Sequence, residues 1–138
     1  MATRAIRVAL VLLALTALGT GVWATVSPRA FYDTFPGAGH SWVAADGPYN
    51  EHLIRDFGAL NLALAAVTIV AAVTLARAVV IAAALAWLLY GVPHLVYHAR
   101  HIDVYDSGDK AAVLVALALS VVLPVVILVA ESRRAAPS

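Results

Sequence analysis

The stretch at 57–98, FGALNLALAAVTIVAAVTLARAVVIAAALAWLLYGVPHLVYH, carries one charged side chain, Arg77. Read as a single helix it would extend about 63 Å, twice the roughly 30 Å of a bilayer's hydrocarbon core, so the chain has to reverse near Arg77 although neither Gly nor Pro stands there. The expectation is a tight hairpin at 75–78, which splits the stretch into two spans at 57–76 and 78–98. Two further apolar runs of membrane-crossing length flank them, at 5–26 and 111–130. Composition agrees. The chain is 63% hydrophobic and 12% charged, with a mean hydropathy of +0.91, far from the soluble mixture of roughly 45–50% apolar and 25% charged. The predicted architecture is all-α: an antiparallel bundle of four transmembrane helices, at about 5–26, 52–76, 78–100 and 110–131, forming one integral membrane domain over 1–138. One long extracytoplasmic loop joins the first two helices.

Arg4 and Arg7 precede the first run, and Val22-Trp23-Ala24 resembles a secretory cleavage site. The apolar run is longer than the roughly 7 to 15 residues of a signal core, so it reads as a retained span. Orientation follows from the basic residues. Arg4, Arg7, Arg77, Arg133 and Arg134 share one side of a four-span chain, against Arg29, Arg55, Arg100 and Lys110 on the other. The positive-inside rule then places both termini in the cytoplasm of a multi-pass cell-membrane protein. All five histidines and seven of the eight acids (Asp33, Asp46, Glu51, Asp56, Asp103, Asp106 and Asp109) fall on the opposite side. The polar chemistry belongs to one face of the membrane.

Within it, His94, His98 and His101 form a stripe near the end of the third helix. At 100° per residue, His98 is rotated about 40° from His94 and His101 about 60° back, so the three imidazoles project the same way. An ionisable stripe is costly at this depth unless something binds or pairs with it. Trp87, Tyr90 and Tyr97 lie along the same helix as candidate cofactor-binding rings, although packing or interfacial anchoring accounts for such rings equally well. Pro93 stands among them and removes one backbone hydrogen bond.

The second helix opens with Tyr49-Asn50-Glu51-His52-Leu53-Ile54-Arg55-Asp56. Antiparallel neighbours place this segment beside the end of the third helix, so Glu51, His52 and Asp56 are expected to join His94, His98 and His101 in one metal-binding cluster. His52 and Asp56 share a helical face, as do Glu51 and Arg55. The plainer reading is that Asn50 caps the helix and the acids suit its positive end. Between the first two helices, 27–50 interleaves Pro28, Pro36, Pro48 and several glycines with Phe31, Tyr32, Phe35, Trp42 and Tyr49. Its aromatics argue against disorder and for either an interfacial belt or a cover over the histidines, with His40 as an additional ligand.

Imidazoles with carboxylates suit a transition metal ion such as copper, zinc or iron, whereas magnesium and calcium prefer oxygen shells. The absence of cysteine rules out thiolate zinc sites, cysteine-held iron–sulfur clusters, covalent c-type haem and disulfides. Met1 is the sole methionine, which argues against thioether copper(I) handling. Haem b would need axial ligands from opposed helices, such as His52 with a third-helix histidine, and ranks below a bare ion. Asn61 reads as a hydrogen bond to a neighbouring helix, Ser120 and Pro124 as local backbone features, and the alanine runs at 63–66 and 82–86 as close-packing faces.

The stretch Tyr49-Asn50-Glu51-His52-Leu53-Ile54-Arg55-Asp56-Phe57-Gly58-Ala59-Leu60-Asn61-Leu62, followed by His94-Leu95-Val96-Tyr97-His98-Ala99-Arg100-His101-Ile102-Asp103, resembles the small four-span bacterial membrane proteins of the DoxX-like kind. That resemblance implies a fold, in an actinobacterial style of small membrane protein, with a polar patch where the second helix starts and the third ends. It implies no reaction.

Three functional classes follow from the residues. One is a metal-binding membrane protein, extending to redox chemistry on a lipid-soluble substrate, with His52, His94, His98 and His101 as ligands and Glu51 or Asp56 as ligand or proton acceptor. Another is an accessory or structural subunit of a larger membrane complex, or a homo-oligomer, embedded in the lipid bilayer. The third is a carrier or proton relay, disfavoured because the inner halves of the helices read as apolar. A net charge of +1 without a basic stripe excludes nucleic acid as a partner. Nucleophilic catalysis lacks a cysteine, and Ser41 has no base-orienter pattern around it.

Overall fold

The computed structural model describes residues 2–135, which contain no strand. The elements are α1 (Ala2–Val26), α2 (Pro28–Thr34), α3 (Trp42–Asp46), α4 (Glu51–Thr74), α5 (Arg77–Arg100), a 3-10 turn (Ile102–Val104) and α6 (Ser107–Ala135). Four of them, α1, α4, α5 and α6, are long and apolar enough to cross a membrane. They close a ring in the order α1, α4, α5, α6, with α1 packed most extensively on α4 and α5 on α6. The observed boundaries lie close to the expected ones. The last helix differs most: it starts at Ser107 and runs on to Ala135.

The buried core is drawn from all four spans: Ile6, Leu10 and Leu13 of α1, Ala65 and Ala71 of α4, Val80 and Trp87 of α5, and Ile127 of α6. The outside is as apolar as the inside, with Leu89 79% and Val73 73% exposed, the pattern of helices whose outer faces meet lipid. In that setting association depends on close packing rather than on expelling water. Two places show it. A Cβ on Gly58 would stand 3.0 Å from the Gly21 carbonyl oxygen and 2.8 Å from the Thr25 amide nitrogen, and a Cβ on Gly21 would stand 3.0 Å from the Gly58 oxygen. At Gly91 it would meet the Ser120 hydroxyl at 2.8 Å. Backbone touches backbone between α1 and α4, which draws α4 toward α1.

The expected reversal near Arg77 is a two-residue hairpin. Leu75 ends α4 in the left-handed region (φ 50°), its N–H donating 2.9 Å to Ala71 O, and α5 starts at Arg77. Glycine is the usual occupant of such a helix C-terminus. Leucine holds it here because its side chain packs against the core. At the opposite end of α4 the Asn50 side chain accepts from Leu53 N at 3.1 Å, the cap expected from sequence.

The segment 27–50 is structured, with α2 beginning at Pro28, a favoured first position. Phe31 is buried with Ala24 and Ile54, and Trp23, Tyr32, Phe35, Val43, Tyr49 and Phe57 pack around them. Tyr32 Oη donates to Gly47 O at 2.7 Å, which pins α2 to the stretch after α3. At the hairpin end, Glu131, just past the apolar run expected at 111–130, is 2% exposed and accepts from Arg134 Nη1 at 2.5 Å.

Candidate functional site

The last turns of α5 carry a file of rings. Tyr90 meets Trp87 edge-on at 6.1 Å and His94 at 5.1 Å, and His94 faces His98 at 4.8 Å with the planes inclined by 30°. The helical spacing of four residues produces this pairing directly. From α4 the Phe57 ring comes to 6.5 Å from His94. His101 sits one turn on and stacks on Tyr97 at 4.3 Å, while Tyr97 meets His98 edge-on at 5.2 Å.

One residue that sequence reasoning did not single out completes the constellation. Tyr105, 5% exposed, folds back after the 3-10 turn so that its Oη lies 2.8 Å from His98 Nδ1. Burial pushes the Tyr105 phenol up to about 12, and the nearby Asp46 carboxylate of α3 adds to the shift. No periodicity links positions 98 and 105; they meet because the turn after α5 folds the chain back over this end of the bundle.

Ring-nitrogen partners limit the tautomers. His101 Nδ1 lies 2.8 Å from Tyr97 O. A carbonyl only accepts, so Nδ1 carries the proton and the neutral ring's lone pair is on Nε2. His98 takes the same form when its Nδ1–H donates to Tyr105 Oη, which leaves Nε2 as a ligand atom.

The expected meeting of the second-helix cluster with these histidines does not occur. His52 and Asp56 pair with each other at 3.3 Å, with the His52 side chain 86% exposed, and Glu51 accepts from Arg55 Nε at 2.8 Å. Arg55 Nη1 also donates to Thr25 O at 2.5 Å, tying the start of α4 to the end of α1. The cause is the Gly21–Gly58 approach: α4 packs on α1 more than on α5, so the adjacency of α4 and α5 in sequence does not bring their polar ends together. Among the described residues, no group of three or more His, Asp or Glu side chains converges as a ready metal cage. His40 pairs with Asp109 at the start of α6, Nδ1 to Oδ1 at 2.7 Å, and so anchors the 27–50 segment across the bundle.

Of the three candidate cofactor rings, Trp87 is buried and donates from Nε1 to Thr68 Oγ1 at 2.9 Å, which makes it an α4–α5 packing residue. Tyr90 is the ring beneath His94, and Tyr97 is the half-exposed ring between His98 and His101. Asn61 donates to Phe57 O in its own helix at 2.9 Å and lies 3.4 Å from Thr20 Oγ1 of α1, so it does reach a neighbouring helix. The chain matches no protein-family model, no curated protein and no solved structure.

Proposed function

We propose that this chain is a metal-binding protein of the cell membrane, with both termini cytoplasmic and a transition metal ion, copper, zinc or iron, held by His94 and His98 at the extracytoplasmic end. One observation carries the reading: the two imidazoles face each other on successive turns of one helix, and the second has its Nδ1 beside a buried phenol. Histidines four apart on a helix are a chelating pair, and a partner on the far ring nitrogen fixes tautomer and orientation in metal sites. His101, its Nε2 lone pair set by the Tyr97 carbonyl, is the adjoining imidazole. Glu51, His52 and Asp56 stand apart and are left out of the ligand set. Basic residues at the hairpin and termini support the orientation.

Elemental analysis of the purified full chain, with metal titration of the stripped protein, tests this. Near-stoichiometric metal is expected in the wild type and in His52→Ala, and its loss is expected in His94→Ala and His98→Ala. Tyr105→Phe removes the oxygen beside His98 and should weaken binding about 10- to 100-fold. Equal affinity in wild type and His98→Ala would overturn the assignment.

A further inference from the structure

On the same end of the bundle, on the side where α1 hands over to α2 and α4 begins, lies an open groove of about 700 Å³ that the histidine site does not use. Its walls carry two cations and two anions as two ion pairs. Arg29 Nε is 2.7 Å from Asp33 Oδ2 and Arg55 Nε is 2.8 Å from Glu51 Oε1, all four side chains lining the groove. Both guanidinium groups are held in place. Arg29 lies 5.0 Å from the Tyr49 ring centre and 5.6 Å from that of Tyr32, in a corner formed by the two rings. Arg55 is anchored by the Thr25 carbonyl through Nη1. A guanidinium has five N–H donors, and the acids engage only the Nε–H of each, so Nη donors remain on both.

An arrangement of this kind discriminates among ligands. A plain anion would gain from the two arginines but would face Asp33 and Glu51; a plain cation would meet the reverse. A ligand carrying both signs a few ångströms apart satisfies the whole wall, its phosphate on the guanidinium groups and its ammonium on the carboxylates. Arginine forks match phosphate geometry, and the carboxylates reward an ammonium that donates hydrogen bonds over a quaternary one that cannot. The groove opens beside the end of a helix long and apolar enough to cross a membrane, and rings such as Tyr49 and Tyr32 suit a lipid headgroup layer.

From this geometry we infer that the Arg29–Arg55 groove binds a phosphate ester bearing a primary ammonium, the chemistry of an ethanolamine phospholipid headgroup.

The test uses the full chain in nanodiscs of phosphatidylcholine, with or without phosphatidylethanolamine, and native mass spectrometry of the released protein. Phosphatidylethanolamine should be retained about tenfold more than phosphatidylcholine, the factor expected for charge-assisted hydrogen bonds gained by one headgroup only. The double variant Arg29→Gln/Arg55→Gln should lose both lipids. Asp33→Asn/Glu51→Gln should keep the lipids but lose the preference, and it decides the matter if the arginine variant does not fold. Free phosphoethanolamine added to phosphatidylcholine nanodiscs separates the sources: a competing soluble ligand assigns the groove to free phosphate esters, and failure to compete assigns it to lipid. Equal retention of the two lipids by the wild type, or an unchanged preference in Asp33→Asn/Glu51→Gln, overturns the proposal.

Discussion

The two ends of the bundle handle polar groups in opposite ways. At the hairpin end the chain turns in two residues, and the one buried charge there among the described residues, Glu131, is met by a cation one turn along its own helix. At the other end the chain spends two short helices and a 3-10 turn on covering the bundle. Its polar contacts run between elements: Tyr105 to His98, His40 to Asp109, Arg55 to Thr25. The lesson is that the hairpin end is made by local geometry and the loop end by tertiary assembly. Substitutions should therefore act differently at the two ends.

The largest effect is expected at the hairpin end. Arg134→Ala leaves the Glu131 carboxylate buried without its cation, and a loss of about 3 kcal/mol, the low end for a broken buried pair, is expected in denaturant unfolding of the detergent-solubilised protein. A loss below about 0.5 kcal/mol, the worth of an exposed pair, would show instead that Glu131 reaches water. Next is the approach that draws α4 to α1. Gly58→Ala inserts a methyl group against the Thr25 backbone, and overpacking of this kind costs about 1–3 kcal/mol. Because this contact also aligns the loop end, a thermal melt should fall together with the circular-dichroism signal of the aromatic cluster. A loss of stability with that signal intact would show that the two ends are uncoupled.

At Leu75, a β-branched residue tolerates the left-handed region poorly. Leu75→Val should cost about 1 kcal/mol, whereas Leu75→Gly should be near neutral, since relief of the backbone offsets the lost packing. Equal destabilisation by both, measured by the same melts, would mean that packing alone decides the turn. The smallest effect concerns Asp103, whose carboxyl the Lys110 hydrogen bond and charge hold below its ordinary value. A depressed carboxylate contributes stability above its ordinary pKa, and that contribution fades as pH falls through the lowered value. In Lys110→Ala the Asp103 titration followed by NMR should move up to the ordinary carboxylate range. The pair is exposed, so the neutral-pH melt should stay unchanged.

Much of this molecule was legible before any coordinates. The four spans followed from hydropathy and length, and the hairpin near Arg77 from the impossibility of one helix twice as long as a bilayer is thick. The His94–His98 pairing came from helical spacing alone. Three things were not legible. Tyr105 reaches His98 from a segment with no periodic relation to it, across the turn that follows α5. Glu51, His52 and Asp56 were expected beside the α5 histidines because successive antiparallel helices are neighbours. Adjacency in sequence does not say which neighbour a helix packs on most, and Gly58 chose α1. Glu131 was visible as a residue, but its burial was not, because a carboxylate near a helix end ordinarily reaches water.

By itself, then, the sequence determined where the chain can cross a membrane, where it must turn back and which imidazoles share a helical face. Each of these follows from rise per residue, rotation per residue and the cost of polar groups in hydrocarbon. Tertiary structure decided which polar groups meet, because that depends on the distance of closest approach between helices. In lipid this distance is set by small residues in backbone contact, as at Gly21 and Gly58, and no local pattern along one helix encodes its partner.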